Sequence, residues 1–125
     1  MVRLTTDPPL RRSLRPRGPV RFRVSEHRKA GTHVLRVDGE LDVLTAPKLA
    51  AELYSVIRKN DGNLAIDLRH AVFIDSAGLH ILMSAHRRLT RASRRMWVVC
   101  GEGPVRRVIE LARLVETLGV VPSLE

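Results

Sequence analysis

The sequence predicts an α/β fold: a mixed β-sheet with an antiparallel N-terminal hairpin and parallel later strands, in the order β-β-α-β-α-β-α-β. Three observations predict it. "VRFRV" (20–24) alternates apolar and basic residues and is followed by a second short apolar run, "HVLRV" (33–37), the signature of paired strands. Stretches of helical periodicity then separate each later apolar run from the next. Strands joined through helices need crossovers, and crossovers make neighbouring strands parallel.

The elements follow in order. Val20, Phe22 and Val24 alternate with Arg21 and Arg23 as a half-buried strand, and the polar connector "SEHRKAG" leads to the second strand at 33–37. "DGELD" (38–42) reads as a turn carrying three carboxylates. Thr45 is placed as a helix N-cap, with Pro47 in the first turn, where a missing N–H costs nothing. Ala46, Leu49, Ala50, Leu53, Val56 and Ile57 recur at helical spacing until "NDGN" stops the helix. "LAIDL" (64–68) is the third strand. A second helix is expected over about 76–91, with Ala77, Ile81, Leu82, Ala85 and Leu89 as its buried stripe. "MWVVC" (96–100) is continuously apolar, as in a strand covered on both faces. "GEGP" turns the chain into a third helix with Val105, Val108, Ile109 and Ala112 inward, and "LGVV" (118–121) closes the sheet.

The chain has 125 residues, enough for one domain with its own core. Residues 1–19 hold four prolines and no periodicity, so they read as a disordered Arg/Pro-rich tail ahead of a domain at 20–125. Cys100 stands alone, which excludes an internal disulfide and multi-cysteine zinc sites. The five histidines show no paired spacing, so neither metal nor cofactor is expected. No signal-peptide core and no run of about 20 apolar residues is present, and the expectation is a cytoplasmic protein off the membrane. Net charge is +9, of which residues 1–20 contribute +4 through Arg3, Arg11, Arg12, Arg15 and Arg17 against Asp7. Such a balance suits nucleic acid, an acidic protein surface or anionic lipid. Aromatics are only 3%, and no nucleic-acid motif accompanies the arginines, which argues against the first.

The chemistry-bearing stretch is "VFIDSAGLHILMSAHRRL" (72–89). Ser76, His80, Met83 and Arg87 fall on one helical face, away from the predicted stripe. The bland reading of Asp75 and Ser76 is a helix cap. A nucleophilic serine is disfavoured: G-x-S-x-G is missing, and no third group orients His80. A hydroxyl at an exposed helix start also suits a phosphoacceptor, where a phosphate of charge about −1.5 to −2 meets the positive helix end. Gly78, at the start of this helix, lets something approach the first turn closely.

"GELDVLTAPKL" (39–49), "LAIDLRHAVFIDSAGLHIL" (64–82) and "GPVRRVIELARLVETLGVV" (103–121) together resemble the STAS domain family, above all its stand-alone bacterial anti-sigma factor antagonists. The resemblance spans residues 20–121 and implies a binding protein, not an enzyme. Unphosphorylated, it would bind an anti-sigma factor that is also a serine kinase. Phosphorylation of Ser76 would break the complex, and a phosphatase would reverse the mark. Asp75, Ala77, Gly78, His80, Met83 and Arg87 would form the docking surface, joined by Glu40, Asp42 and Thr45 from the upstream turn. The resemblance also leaves room for a STAS subunit of a lipid-transport or stress-sensing assembly. It implies a final amphipathic helix, of which "PSLE" holds only the start.

Overall fold

A computed structural model describes residues 21–124; the N-terminal tail reading therefore falls outside the described residues. Five strands form one sheet in the spatial order β1-β2-β3-β4-β5: Arg23–Lys29, Thr32–Leu41, Leu64–Ile74, Met96–Val99 and Val120–Val121. Helices α1 (Ala46–Lys59), α2 (Ser76–Arg91) and α3 (Pro104–Leu111) occupy the three crossovers. β1 is antiparallel to β2, and every later pairing is parallel, as the pattern predicts.

The strand order simply counts upward. Right-handed crossovers taken always in the same direction put every helix on one face of the sheet. The packing follows suit. Leu35, Val37 and Leu41 of β2, Ile66 and Leu68 of β3 and Val98 of β4 share one core with Leu49, Leu53, Leu82, Ala85, Leu89 and Ile109 of the helices. The alternate residues Val34, Ala65 and Val99 form a small separate cluster on the other face, beside Val121 and Leu124. "MWVVC" is thus covered by helices on one side only. Cys100 lies just past β4 in the helix-side core, where burial pushes its thiol above the usual range and keeps it protonated.

Four boundaries differ from the sequence reading; β1, β2 and β3 run on because pairing extends a strand that local pattern does not mark, and β5 is shorter. β1 begins at Arg23, not Val20, and absorbs most of the expected connector. Its Lys29 pairs with Thr32 across a two-residue turn, Ala30-Gly31, with φ of 51° and 83°. Positive φ at both positions matches the twist of a tight hairpin. β2 runs on to Leu41 through most of "DGELD". β3 runs to Ile74, past the end of β4 pairing at Asp67. β5 is only Val120–Val121, and Leu118 is core.

On the helix-free face, Arg36 pairs with Asp38 at 2.9 Å and Arg69 with Asp67 at 2.9 Å. Burial works against the charge of Asp67, yet the Arg69 guanidinium and backbone N–H hold its carboxyl below the ordinary range. Arginines at the end of α2 and just after it are also engaged by the fold. Arg88 lies 5.0 Å over Tyr54, Arg95 5.0 Å over Trp97, and Arg94 donates to the carbonyls of Gly62 and Ile57.

Candidate functional site

The site forms where β2 and β3 deliver the chain to α1 and α2. The two strands end level, Leu41 beside Ile74, and the Asp75 N–H donates to the Leu41 carbonyl at 3.2 Å. The two junctions therefore sit side by side.

At the second junction, Asp75 is the N-cap of α2. Its Oδ1 accepts from the N–H groups of Ala77 at 2.9 Å and Gly78 at 3.2 Å. Ser76 is consequently the first helical residue, not the cap, and its side chain is exposed. Gly78 departs from its expected use. It is buried, and a Cβ there would come within 2.8 Å of both Leu41 and Ile74 and 3.0 Å of the Leu41 carbonyl. The close approach it permits is that of the sheet, so its interior side is closed to a partner.

At the first junction, Asp42 Oδ1 accepts from Leu44 N–H at 3.0 Å and Thr45 N–H at 3.1 Å, and its carbonyl accepts from Ala46 N–H at 2.7 Å. Thr45 occupies the N-cap position of α1 but makes no side-chain cap bond. Its hydroxyl donates to the Glu40 carbonyl at 2.6 Å and accepts from the Asp42 N–H at 2.9 Å. This lattice leaves Val43 and Leu44 with nowhere to go but outward, and they are 69% and 79% exposed. A soluble domain rarely fixes two large apolar side chains outward without a use for them.

Val43, Ala46 and Pro47 from the first junction and Asp75, Ser76, Ala77, His80 and Ile81 from the second line one open depression. Ala77 and Ile81, expected in the buried stripe, are only partly buried; Gly78 takes the inward place beside Leu82, Ala85 and Leu89. Val72 and Phe73, near the end of β3, are 49% and 46% exposed. Two other expected site residues stand apart. Met83 is half-buried against the core. Arg87 is exposed but lies about 16 Å along the helix from Ser76, at 1.5 Å per residue, where it donates to Ser84 Oγ at 3.5 Å.

The structure thus brings Ser76, Asp75, Ala77 and His80 together with the "LDVLTAP" turn. It adds Val43, Pro47 and Ile81, which sequence reasoning missed. A signal for Val43 existed: Val43 and Leu44 are consecutive apolar residues between an aspartate and a helix start, outside the apolar stripe of α1.

Comparison with known proteins agrees with the fold. The family described as the STAS domain matches residues 23–125. The anti-sigma-F factor antagonist RsfB of Mycobacterium tuberculosis is 33% identical over 101 residues, covering 81% of this chain and 80% of the relative. The crystal structure of an anti-sigma factor antagonist from Mycobacterium paratuberculosis superimposes with a TM-score of 0.72 at 32% identity, over 84% of this chain and 87% of that one. The Bacillus cell fate determinant SpoIIAA in its phosphorylated form shares the fold, with a TM-score of 0.63 at 20% identity over 84% and 93% of the two chains.

Proposed function

This chain belongs to the STAS domain family, and on that premise we propose that it is an anti-sigma factor antagonist whose docking surface is the paired junction around Ser76. Unphosphorylated, it binds an anti-sigma factor that is itself a serine kinase, so freeing a sigma factor for transcription. The kinase then transfers the γ-phosphoryl group of ATP to Ser76 Oγ. ADP leaves, the hydroxyl proton passes to the kinase, and the complex separates; a phosphatase later hydrolyses the ester. The protein itself supplies no catalysis in this cycle.

The observation that carries this reading is an exposed hydroxyl at the edge of an apolar depression, flanked by Val43, Pro47 and Ile81. Apolar side chains supply contact area, and the hydroxyl is reachable by a kinase. A group of charge about −1.5 to −2 placed inside such an interface is desolvated against apolar surface and repelled by Asp75. The relatives' names support the antagonist role, and SpoIIAA in its phosphorylated form supports the switch by analogy. Among the described residues no helix is long and apolar enough to cross a membrane.

The test is binding to the cognate anti-sigma kinase, with and without ATP, for the native chain, Ser76→Ala and Ser76→Glu. A loss of a few kcal/mol, at least about 100-fold in Kd, is expected for Ser76→Glu and for the native chain after ATP, with mass spectrometry placing the mark on Ser76. Ser76→Ala should bind and resist ATP. Equal binding by Ser76→Glu, or release by ATP without a mark on Ser76, would overturn the switch.

A further inference from the structure

The opposite end of the sheet holds a polar cavity. Strand β2 runs from Thr32 to Leu41. At about 3.3 Å per residue, its start lies on the order of 30 Å from the proposed docking surface. There the β1–β2 turn, the end of α1, the loop before β3 and the turn after α2 surround a cavity of about 160 Å3. Arg28, His33, Asn60, Asp61, Asn63 and Arg94 supply its polar wall.

Two guanidinium groups line this cavity, and both are held by neutral acceptors. Arg28 Nη1 donates to His33 Nδ1 at 3.2 Å and Nη2 to the Gly31 carbonyl at 3.4 Å. A guanidinium has no lone pair to offer, so Nδ1 is the bare nitrogen of the ring and Nε2, bonded to Glu26, carries the proton. Glu26 is thereby occupied by the imidazole and not by Arg28. Arg94 Nε donates to the Gly62 carbonyl at 2.9 Å and Nη1 to the Ile57 carbonyl at 3.0 Å. Among the described residues, Arg28 Nε and Arg94 Nη2 meet no acceptor. Asp61, the one carboxylate in the lining, is exposed and pairs with neither arginine.

The end of α1 would ordinarily repel an anion, but its nearest carbonyls are taken. That of Val56 accepts from the N–H and Nδ2 of Asn60 at 3.1 and 3.0 Å, and that of Ile57 from Arg94. Asn63 Oδ1 accepts from the Arg95 N–H at 2.9 Å, which leaves its amide NH2 as a further donor. Lys29, Arg58, Lys59, Arg91 and Arg95 are exposed around the same end, against Glu26, Asp61 and Glu116. A positive surplus of this kind raises the local concentration of anions.

We infer that this cavity binds a small oxyanion of the size and charge of phosphate, held by the guanidinium groups of Arg28 and Arg94 and the amide of Asn63. Guanidinium forks match phosphate oxygens two at a time, and such charge-assisted bonds are stronger than neutral ones. Sites for larger ligands run from about 300 Å3 upward, so this one takes a single such group and not a whole nucleotide. A free anion and the phosphoryl end of a small ester share that chemistry. The inference does not rest on phosphorylation of Ser76.

The test is titration of the full chain with inorganic phosphate at fixed ionic strength, followed by NMR of the backbone N–H and arginine Nε–H signals. Saturable shifts are expected at Arg28, His33, Gly62, Asn63 and Arg94. Arg28→Gln should weaken binding about tenfold, the change that 1.4 kcal/mol makes. R58Q/K59Q, outside the lining, should leave it unchanged. Glycerol 3-phosphate separates the two sources: binding as tight as that of phosphate points to the end of an ester, and binding about tenfold weaker to a free anion. Shifts that never saturate, or a loss with R58Q/K59Q equal to that with Arg28→Gln, would mean that anions only gather at a basic surface and would overturn the inference. Unchanged binding by Arg28→Gln would overturn it too. The shifts mapped on the native chain decide the matter even where Arg28→Gln disturbs the hairpin.

Discussion

The ends of β2 and β3 meet the same local problem with the same device, and the outcomes differ. In both, an aspartate accepts N–H groups two and three residues ahead: Asp42 from Leu44 and Thr45, Asp75 from Ala77 and Gly78. At the first, the following hydroxyl is turned back into the fold, because Thr45 bonds the Glu40 carbonyl, and the residues in between are pushed outward. At the second, α2 starts at once, Gly78 is drawn against Leu41, and the hydroxyl of Ser76 is left outside. One junction contributes exposed apolar side chains, the other an exposed hydroxyl. Their side-by-side placement is what the proposed switch would use: apolar contact beside a hydroxyl that a kinase could reach.

The comparison breaks most severely at Gly78. Gly78→Val puts carbon within 3 Å of Leu41 and Ile74, and should cost about 3 kcal/mol or unfold the chain. A midpoint in urea unchanged from the native chain would show that the two strand ends are not held as described. Next come the aspartates. Asp75→Ala and Asp42→Ala should each lose about 1–2 kcal/mol of stability, as caps do. A markedly smaller loss at one would mean that the two junctions are not equivalent. The hydroxyl pair gives the finest contrast. Thr45→Val should cost about 1 kcal/mol through the lost bond to Glu40, while Ser76→Ala should stay within about 0.5 kcal/mol. A stability loss at Ser76 matching that at Thr45 would make its hydroxyl structural.

Much of this was legible from residue order. Alternation, helical stripes and Gly/Pro punctuation located all eight elements, because periodicity records which side of each element is buried. Boundaries were less legible. Ser25–Lys29 is polar because it lies on an edge strand, and its pairing with β2 is invisible in its own composition. The extension of β3 to Ile74 is likewise decided by β2. In the site, Ser76 and His80 were readable from one helical face, and Asp75 as a cap beside them. Met83 and Arg87 share that face in angle but not in depth or height, and a helical projection is blind to both.

By itself, the sequence determined the order and type of the elements, the lone cysteine, the placing of the basic charge and the exposed serine at a helix start, since each depends on neighbours within a few positions. The packing of the strands was needed to bring the first helical turns of α1 and α2 together, to turn Gly78 toward the sheet instead of a partner, and to join Val43 with Ser76 in one depression. Those facts depend on which strand lies beside which, and Asp42 and Asp75, separated by a helix and a strand in the chain, become neighbours only when β2 and β3 pair in register.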